Sequence, residues 1–271
     1  MRKEYEISNR QAVQGTLKSL ALAASIAFAL SACNGNGATK MTSEDAGGLT
    51  DAATSAFKAA TLSDAEVKDL SDKSCAAMDG KAQVATAKSK EAKRLSKIIK
   101  GMPPSVKGVP INYKVYLTKD VNAWAMNNGC VRVYSGLMAM MNDDEVRGVI
   151  GHEIGHVALG HAKSSMQTAY AASAARQAAS SFGNAAVAAL SNSELGELAE
   201  TLVNSQFSQV QESASDDFSF DLLTAGKFKR EGLVTAFEKL AKLGDNNSML
   251  SSHPSSSGRA QHIRERIAAK K

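Results

Sequence analysis

Blocks of helical periodicity flank one stretch of strand-like alternation in this chain. Apolar residues recur at helical spacing over 62–100, where Ser63 is suited to begin a helix, and the segment 101–108, GMPPSVKG, interrupts the pattern. Residues 111–119 alternate apolar and polar side chains, and 122–134 repeat this alternation across a turn that contains a glycine. The pattern therefore predicts helix first and a small sheet after it.

The remainder of the chain is predicted to be helical. Asn142 and the acidic residues after it favour a helix start, and we expect a helix of about five turns that contains the histidine-rich stretch 148–162. The alanine- and serine-rich segment 171–190 predicts a helical hairpin or flap with little large apolar surface to bury. Three further segments have helical periodicity: 193–226, 231–243 and 257–269. The predicted fold class is α+β, mostly helical, with a small sheet beside the histidine-bearing helix.

Length and charge narrow the classes of function. The chain has 271 residues, enough for one main domain with a substantial core, and its formal net charge is +5. The first 32 residues contain four basic and two acidic side chains, which leaves 28 basic and 25 acidic residues for the rest. The sequence has no dense lysine and arginine stripe with interleaved aromatic residues, so a nucleic-acid partner is not expected.

The N-terminus has the features of a bacterial export signal. Basic residues precede a short apolar run at 20–30, which is too short to cross a bilayer and ends in small residues. The sequence LSAC, which ends at Cys33, resembles the lipobox of bacterial lipoproteins and implies lipid attachment to that cysteine. Asn34 follows where an aspartate would favour the inner membrane, so the resemblance implies the outer membrane of a Gram-negative cell. An ordinary signal peptide, in which Cys33 has no special role, is the alternative. The expected divisions are a signal peptide over 1–32, a flexible tether over 33–48 and the main domain over 49–271.

The three cysteines divide into one at the lipobox and two in the folded domain. In an oxidising compartment the remaining pair, Cys75 and Cys130, is best interpreted as a disulfide. Neither cysteine belongs to a CxxC motif, which disfavours metal ligation, and two buried free thiols are the other alternative.

The stretch HEIGH, residues 152–156, is an HExxH motif. Side chains four residues apart on a helix are neighbours on one face, so His152 and His156 can both bind one cation. Glu153 lies about 100° round the helix, where it can reach a water molecule at the metal without competing for the metal. The motif indicates one catalytic zinc ion per chain, which needs a third protein ligand.

The third ligand is expected on a separate helix. His161 would lie on the opposite face of a continuous helix from His152, and its spacing does not match the metzincin pattern. Glu212 and Asp216 lie one turn apart in QESASDDFSFD, so Glu212 can bind zinc while Asp216 accepts the second ring N–H of a ligating histidine. The alternatives are Glu194, Glu197 and Glu200 for the ligand, and Asp217 and Asp221 for the hydrogen bond.

Four stretches together carry a family resemblance. HEIGHVALGHA is accompanied by ESASD, by HPSSSGRAQHI and by the upstream NAWAMNNGCVRVYSGLM. Over roughly residues 45–271 the chain resembles the gluzincin metallopeptidase family of the CAAX prenyl endopeptidase and HtpX, and within it the LoiP-type periplasmic lipoprotein metalloproteases. The resemblance implies a zincin-like metallopeptidase domain and the following site residues: zinc bound by His152, His156 and Glu212, catalysis by Glu153, and Asp216 behind the metal.

The same resemblance implies contacts with substrate. Substrate backbone is expected to pair along an edge strand at Asn122, Trp124 and Met126, a mode that needs only main-chain hydrogen bonds. The HP…R element, His253 with Arg259, is implied near the cleft, as a fourth ligand in a resting state or as an oxyanion contact.

One departure from the family pattern concerns the second helix of the site. Relatives often carry a second acidic residue inside ExExD, where this chain has Ala214. If that inner acid were the ligand, the site would be incomplete, but the outer glutamate of the pattern, Glu212, is retained.

The expected reaction is zinc-dependent hydrolysis of peptide bonds in the bacterial envelope. Unfolded or damaged envelope proteins are the expected substrates of an enzyme anchored by lipid at the periplasmic face of the outer membrane, with outer-membrane assembly or other protease components as partners. One alternative is a chaperone or binding lipoprotein of outer-membrane quality control with little proteolytic turnover. Another is a zinc hydrolase of wall or lipid components, but aromatic residues are only 5% and form no sugar-binding cluster in the sequence.

Overall fold

Helices surround a small sheet in the computed structural model, which describes residues 61–180, 192–243, 249, 252–253 and 257–269. The expected signal peptide, the tether and the lipid attachment at Cys33 lie outside the described residues, as does the second half of the segment 171–190. Within the described part, no helix combines the length and the apolar character that crossing a membrane requires.

The elements bear out the predicted fold class, α+β and mostly helical. The helices are α1 (Asp64–Lys81), α2 (Lys90–Ile98), α3 (Ser135–Met140), α4 (Asp143–Ala158), α5 (His161–Ser180), α6 (Asn192–Val203), α7 (Gln209–Ala225), α8 (Glu231–Ala241) and α9 (Ser257–Ala269). The strands are β1 (Ser105–Val106), β2 (Val109–Pro110), β3 (Asn112–Tyr116), β4 (Ala123–Ala125) and β5 (Cys130–Tyr134).

Two of the predicted helices are divided by segments with tertiary partners. The prediction of a continuous helix over 62–100 is wrong between α1 and α2. There the chain pairs with β3: the Ala85 N–H donates to the Val115 carbonyl at 2.9 Å, and Val84 forms a bridge with Tyr116. The segment predicted as helix over 193–226 is interrupted between α6 and α7, where Ser208 forms a capping box that begins α7. Local periodicity could not reveal either break.

The histidine-bearing helix starts as predicted but ends earlier. The Asn142 side chain caps α4 in a capping box with Glu145. The helix ends at Ala158, Gly160 adopts a φ of 76°, and α5 begins at His161. A left-handed residue turns the chain away from the helix axis, and glycine adopts that conformation without a Cβ clash. The predicted five-turn helix through His161 is therefore wrong, and so is the expectation that His161 points away from the HExxH ligands.

The three-stranded sheet has the order β3-β5-β4. Strands β3 and β5 are parallel, and β4 pairs with β5 antiparallel, with Trp124 opposite Arg132. Residues 83–85 flank the outer side of β3, whereas β4 forms the other edge of the described sheet. This edge lies beside α4, as the resemblance implied.

Helix α4 occupies the centre of the main core. Its apolar side chains, such as Ile150 and Ile154, are 0% exposed and share one cluster with residues of β5, α7, α8 and α9. Full burial of one such side chain contributes about 1.5–3 kcal/mol to folding. The HExxH residues are therefore held on the most tightly enclosed element of the fold.

A buried charge network and a disulfide join α1 to the sheet. The disulfide links Cys75 of α1 with Cys130 of β5, the pair that the sequence indicated. Arg132 is 2% exposed, and its Nε donates to Asp79 Oδ1 at 2.7 Å. Lys114 Nζ and Tyr116 Oη also donate to the Asp79 carboxylate, at 2.6 and 2.7 Å. This carboxylate is therefore the counter-charge of a buried guanidinium.

We expect Asp79→Asn to lower the free energy of unfolding by about 2–3 kcal/mol, because removal of one partner leaves the Arg132 charge buried without compensation. The measurement is urea unfolding of the purified chain followed by circular dichroism. The matched control is Asp69→Asn on the same helix, where the carboxylate is 54% exposed and forms an ion pair with Lys73. Its effect should stay below about 0.5 kcal/mol.

The loss of stability in Asp79→Asn should depend on pH in a defined way. Burial raises the pKa of Asp79, but hydrogen bonds from Arg132, Lys114 and Tyr116 outweigh burial and hold the pKa at about 2, below the ordinary 3.8. A depressed carboxyl pKa stabilises the fold above the unfolded value and loses that contribution as pH falls toward the folded value. The stability difference between wild type and Asp79→Asn should be constant above about pH 4.5 and shrink by about 2 kcal/mol toward pH 2. A difference that does not vary with pH would contradict the ion-pair assignment.

Candidate metal centre

The two histidines of the HExxH motif face one another on α4. The Nε2 atoms of His152 and His156 are 3.0 Å apart, and both side chains are 1% exposed. Glu153, between them in sequence, is 2% exposed. The predicted one-face geometry of the motif is therefore present.

Close packing of α7 against α4 brings a carboxylate to these histidines. A Cβ at Gly151 would lie 2.5 Å from Ser219 Oγ, and a Cβ at Gly155 would lie 3.0 Å from Ser215 Cα, so only glycine allows this helix separation. As a result Glu212 Oε1 lies 3.3 Å from His156 Nε2, and Glu212 Oε2 lies 3.6 Å from His152 Nε2.

These donor atoms have the spacing of ligands to one small cation. Tetrahedral zinc with bonds of about 2.0–2.2 Å separates its ligand atoms by about 3.3 Å. The two Nε2 atoms are 3.0 Å apart, Glu212 Oε1 lies 3.3 Å from that of His156, and Glu212 Oε2 lies 3.6 Å from that of His152, so each carboxylate oxygen has this spacing from one histidine. His253 joins the same group, in which one ligand atom from each residue lies within 4.8 Å of the others. The residues therefore fit a metal ion in position and in chemistry.

A second layer of ion pairs supports this cluster. Asp216 Oδ1 lies 2.8 Å from His152 Nδ1, on the side of the ring away from the cluster. Arg259 of α9 donates to Asp216 through Nε at 2.7 Å and through Nη2 at 2.6 Å, and its Nη1 lies 2.6 Å from Glu212 Oε2. The Arg259 guanidinium holds the pKa of Asp216 below its usual range despite burial, which would raise it. Arg259 thus neutralises and orients two carboxylates in this structure instead of facing the cleft.

His253 lies between the ligand carboxylate and Glu153. Its Nδ1 is 3.0 Å from Glu212 Oε1, and its Nε2 is 3.5 Å from Glu153 Oε1. Burial lowers the pKa of His253, but the negative charges of Glu153 and Glu212 outweigh burial and raise it. This position agrees with a fourth ligand in a resting state, one of the two roles that the resemblance left open.

Glu153 has the environment of a proton acceptor. Burial raises its pKa, and its Oε1 has no hydrogen-bond partner among the described residues. A cavity of about 20 Å³ lies beside it, between β4, α6, Phe207 and His253. That volume holds about one water molecule.

The edge strand faces this cavity, but the groups available for pairing differ from those expected. The Tyr134 N–H donates to the Asn122 carbonyl, and the Met126 N–H donates to the Cys130 carbonyl, each at 3.0 Å. Antiparallel pairing alternates along a strand, so the backbone groups of Asn122, Trp124 and Met126 face β5. The outward groups are those of the intervening alanines, Ala123 and Ala125. The expected pairing positions at Asn122, Trp124 and Met126 are therefore each shifted by one residue along the strand. The Ala123 N–H is itself bound to Asn122 Oδ1 at 2.8 Å and Ala123 is 0% exposed, which leaves the N–H and the carbonyl of Ala125 as the accessible outward groups.

The other acidic candidates lie elsewhere. Asp217 pairs with His262 and Arg266, and Asp221 pairs with Arg266. Glu200 on α6 pairs with Lys81, and no glutamate of that helix belongs to the described metal-binding group.

Sequence reasoning missed two rings that contact His156. The Phe207 ring stacks on the His156 ring with centroids 3.7 Å apart. His161 Nδ1 lies 3.2 Å from His156 Nδ1, on the side opposite to the cluster. No motif marks Phe207, whereas Gly160 immediately before His161 was a usable signal of a helix end.

Comparisons with known proteins agree with this geometry. Residues 89–267 match Peptidase family M48. Metalloprotease LoiP of Escherichia coli (strain K12) is 52% identical over 255 residues, which are 93% of this chain and 98% of LoiP. Metalloprotease YcaL of the same strain is 56% identical over 218 residues, 80% of this chain and 85% of YcaL. Protease HtpX of Acinetobacter baumannii (strain AYE) is 57% identical over 37 residues, 14% of this chain and 12% of HtpX. The resemblance stated from the motifs is confirmed.

We expect Gly155→Ala to weaken both the fold and metal binding. The added methyl group would lie 3.0 Å from the Ser215 backbone and push α7 away from α4. Overpacking of this kind costs about 1–3 kcal/mol. Urea unfolding and bound zinc per chain measure the two effects. The control is Gly80→Ala in α1, where a Cβ meets nothing within 4 Å; that variant should be neutral or slightly stabilising.

We expect Glu212→Ala to lose most of the zinc bound by the wild-type chain, because it removes the one carboxylate of the donor group and the negative charge that attracts the cation. Elemental analysis after dialysis gives the zinc content per chain. Glu200→Ala removes a glutamate from α6 that is 55% exposed and should retain wild-type zinc. Unchanged zinc in Glu212→Ala would refute its role as a ligand.

Proposed function

The chain belongs to peptidase family M48, and from this premise we propose that it is a zinc-dependent endopeptidase that cleaves unfolded or damaged proteins of the bacterial cell envelope. The expectation of a metalloprotease is confirmed by the family and by two extended metalloprotease relatives. The observation that carries the more specific proposal is the cluster of His152, His156, Glu212 and His253, whose ligand atoms lie within 4.8 Å of one another, with Glu153 Oε1 3.5 Å from His253 Nε2.

The donor set favours zinc. Two imidazoles and one carboxylate with a further position left for water are typical of catalytic zinc sites. Bound zinc would lower the pKa of a water molecule and polarise the scissile carbonyl group. Asp216 and Arg259 would hold His152 and Glu212 in place, because Asp216 contacts the His152 nitrogen away from the cluster and Arg259 contacts Glu212 Oε2.

Glu153 is proposed as the general base and acid. Its buried carboxylate would take a proton from the attacking water and deliver it to the nitrogen of the leaving amine. Burial raises its pKa, which makes the carboxylate a better proton acceptor than an exposed one. His253, with Nε2 3.5 Å from Glu153 Oε1, would have to yield space when a substrate enters.

The edge strand supports a preference for unfolded chains. The outward groups on β4 are main-chain groups of Ala123 and Ala125; Ala123 is 0% exposed in this structure, so the accessible ones are the N–H and the carbonyl of Ala125. An extended peptide can pair with them as an added strand whatever its side chains are. Such pairing needs a segment without structure of its own, which misfolded or damaged proteins provide.

The sequence supports an envelope location. The lipobox-like LSAC implies a lipid anchor at Cys33, and Asn34 favours the outer membrane of a Gram-negative cell. The Cys75–Cys130 disulfide suits an oxidising compartment such as the periplasm. Substrates would therefore meet the enzyme on the periplasmic face of that membrane, where assembly components or other proteases are candidate partners.

We expect Glu153→Gln to keep its fold and bound zinc but to lose at least about 100-fold of its cleavage rate, the lower range for removal of a general base. The assay is incubation of the purified chain with an unstructured protein, followed by sequencing of the fragments, with and without a chelator. Glu200→Gln is the matched control and should cleave normally.

Two results would contradict the proposal in different ways. Full cleavage by Glu153→Gln would refute the assigned base. Rescue of an envelope defect by Glu153→Gln as well as by wild type would favour a chaperone or binding role with little proteolytic turnover over a proteolytic one.

A further inference from the structure

His156 has a histidine partner on the side away from the cluster. Its Nε2 faces His152 and Glu212, while its Nδ1 lies 3.2 Å from Nδ1 of His161. Ser215 Oγ lies 3.3 Å from the same His161 nitrogen. The His156 side chain is 1% exposed, so its Nδ1 must find a hydrogen-bond partner within the protein.

The position of one proton decides whether His156 can bind a cation. A hydrogen bond between two imidazole nitrogens contains a single proton, which belongs to either His156 or His161. If His161 Nδ1 carries it, neutral His156 keeps its own proton on Nε2, and that proton blocks the lone pair toward the cluster. If His156 Nδ1 carries the proton, the Nε2 lone pair is free.

We infer that His161 is a positioning residue, whose Nδ1 accepts the Nδ1–H of His156 and so keeps the His156 Nε2 lone pair directed at the cation. It acts on His156 as Asp216 acts on His152, where the carboxylate oxygen lies 2.8 Å from Nδ1. The inference rests on the proposed zinc site and adds a residue that no HExxH motif contains.

Local backbone structure explains why the His161 ring can reach His156. On a continuous helix, five residues correspond to about 500° of rotation, which would leave the two rings on different faces. The left-handed Gly160, with φ 76°, ends that geometry and returns His161 to the same side. On the other side, Gly155 lets the Ser215 backbone approach to a distance that a Cβ would prevent, which brings the Ser215 hydroxyl to the His161 ring.

A neutral acceptor also suits the charge of the cluster. Glu153, Glu212 and Asp216 are already buried there. Among the described residues, Arg259 is the one arginine of the cluster, and it contacts the carboxylates of Glu212 and Asp216. A fourth buried carboxylate would add an uncompensated charge, which is costly in a low-dielectric site. An imidazole accepts the hydrogen bond without that cost.

The test compares His161→Leu with His161→Asn in the purified full chain. Leucine fills similar space but has no acceptor, whereas the asparagine Oδ1 can take the place of the imidazole Nδ1. Zinc affinity is measured by competition with a chromophoric chelator. We expect a 10- to 100-fold loss for His161→Leu, the range for removal of a group that orients a ligand, and a loss below about threefold for His161→Asn. His262→Leu, at a histidine that pairs with Asp217 on α7, is the matched control and should bind zinc as wild type does.

A second measurement needs no variant and covers a His161→Leu chain that fails to fold. In the zinc-loaded wild type with ¹⁵N-labelled histidine, NMR should show a protonated Nδ1 on His156 with a scalar coupling across the hydrogen bond to Nδ1 of His161. A protonated Nδ1 on His161 would overturn the inference, and so would the absence of that coupling.

The remaining outcomes separate this inference from the proposed function. Equal zinc affinity in wild type and His161→Leu overturns the role of His161 and leaves the zinc site intact. Equal losses in His161→Leu and His161→Asn overturn it as well, because they would indicate ring packing in place of an acceptor. A wild-type chain that binds no zinc refutes the proposed function itself, and the role of His161 with it.

Discussion

The close contact between α4 and α7 is the constraint on which the site depends. Neither helix carries a complete metal centre, because the histidines lie on α4 and the carboxylates on α7. Their separation is set by Gly151 and Gly155, whose missing side chains admit Ser219 and Ser215. The same approach presents Asp216 to His152 and Ser215 to His161. The three ligands His152, His156 and Glu212, and the supporting Asp216, are therefore positioned by a single packing interface.

Features with a local cause could be predicted from the sequence. The start of α4 follows from Asn142 and the acid residues after it, and the one-face geometry of His152 and His156 follows from helical spacing. The alternation around 111–134 indicated the strands. The choice of Glu212 over other glutamates required the family resemblance as well as the spacing, since a lone ExxxD recurs by chance.

Features that depend on a distant partner could not be predicted. The break after α1 exists because residues 83–85 bond to β3, and nothing in their own periodicity signals that partner. Phe207 reaches His156 only through the path of the chain between α6 and α7. The predicted position of His161 is wrong because the helical periodicity was extended through Gly160, although glycine frequently ends a helix.

The position of Arg259 on α9 has a consequence for the order in which the site becomes functional. In a chain synthesised from its N-terminus, the HExxH helix and α7 emerge well before α9. Until Arg259 arrives, Glu212 and Asp216 lack the guanidinium that contacts both of them, and their burial is unfavourable. The centre is therefore completed last. A nascent chain without α9 would contain His152, His156 and Glu212 and still lack the guanidinium that compensates the buried carboxylates.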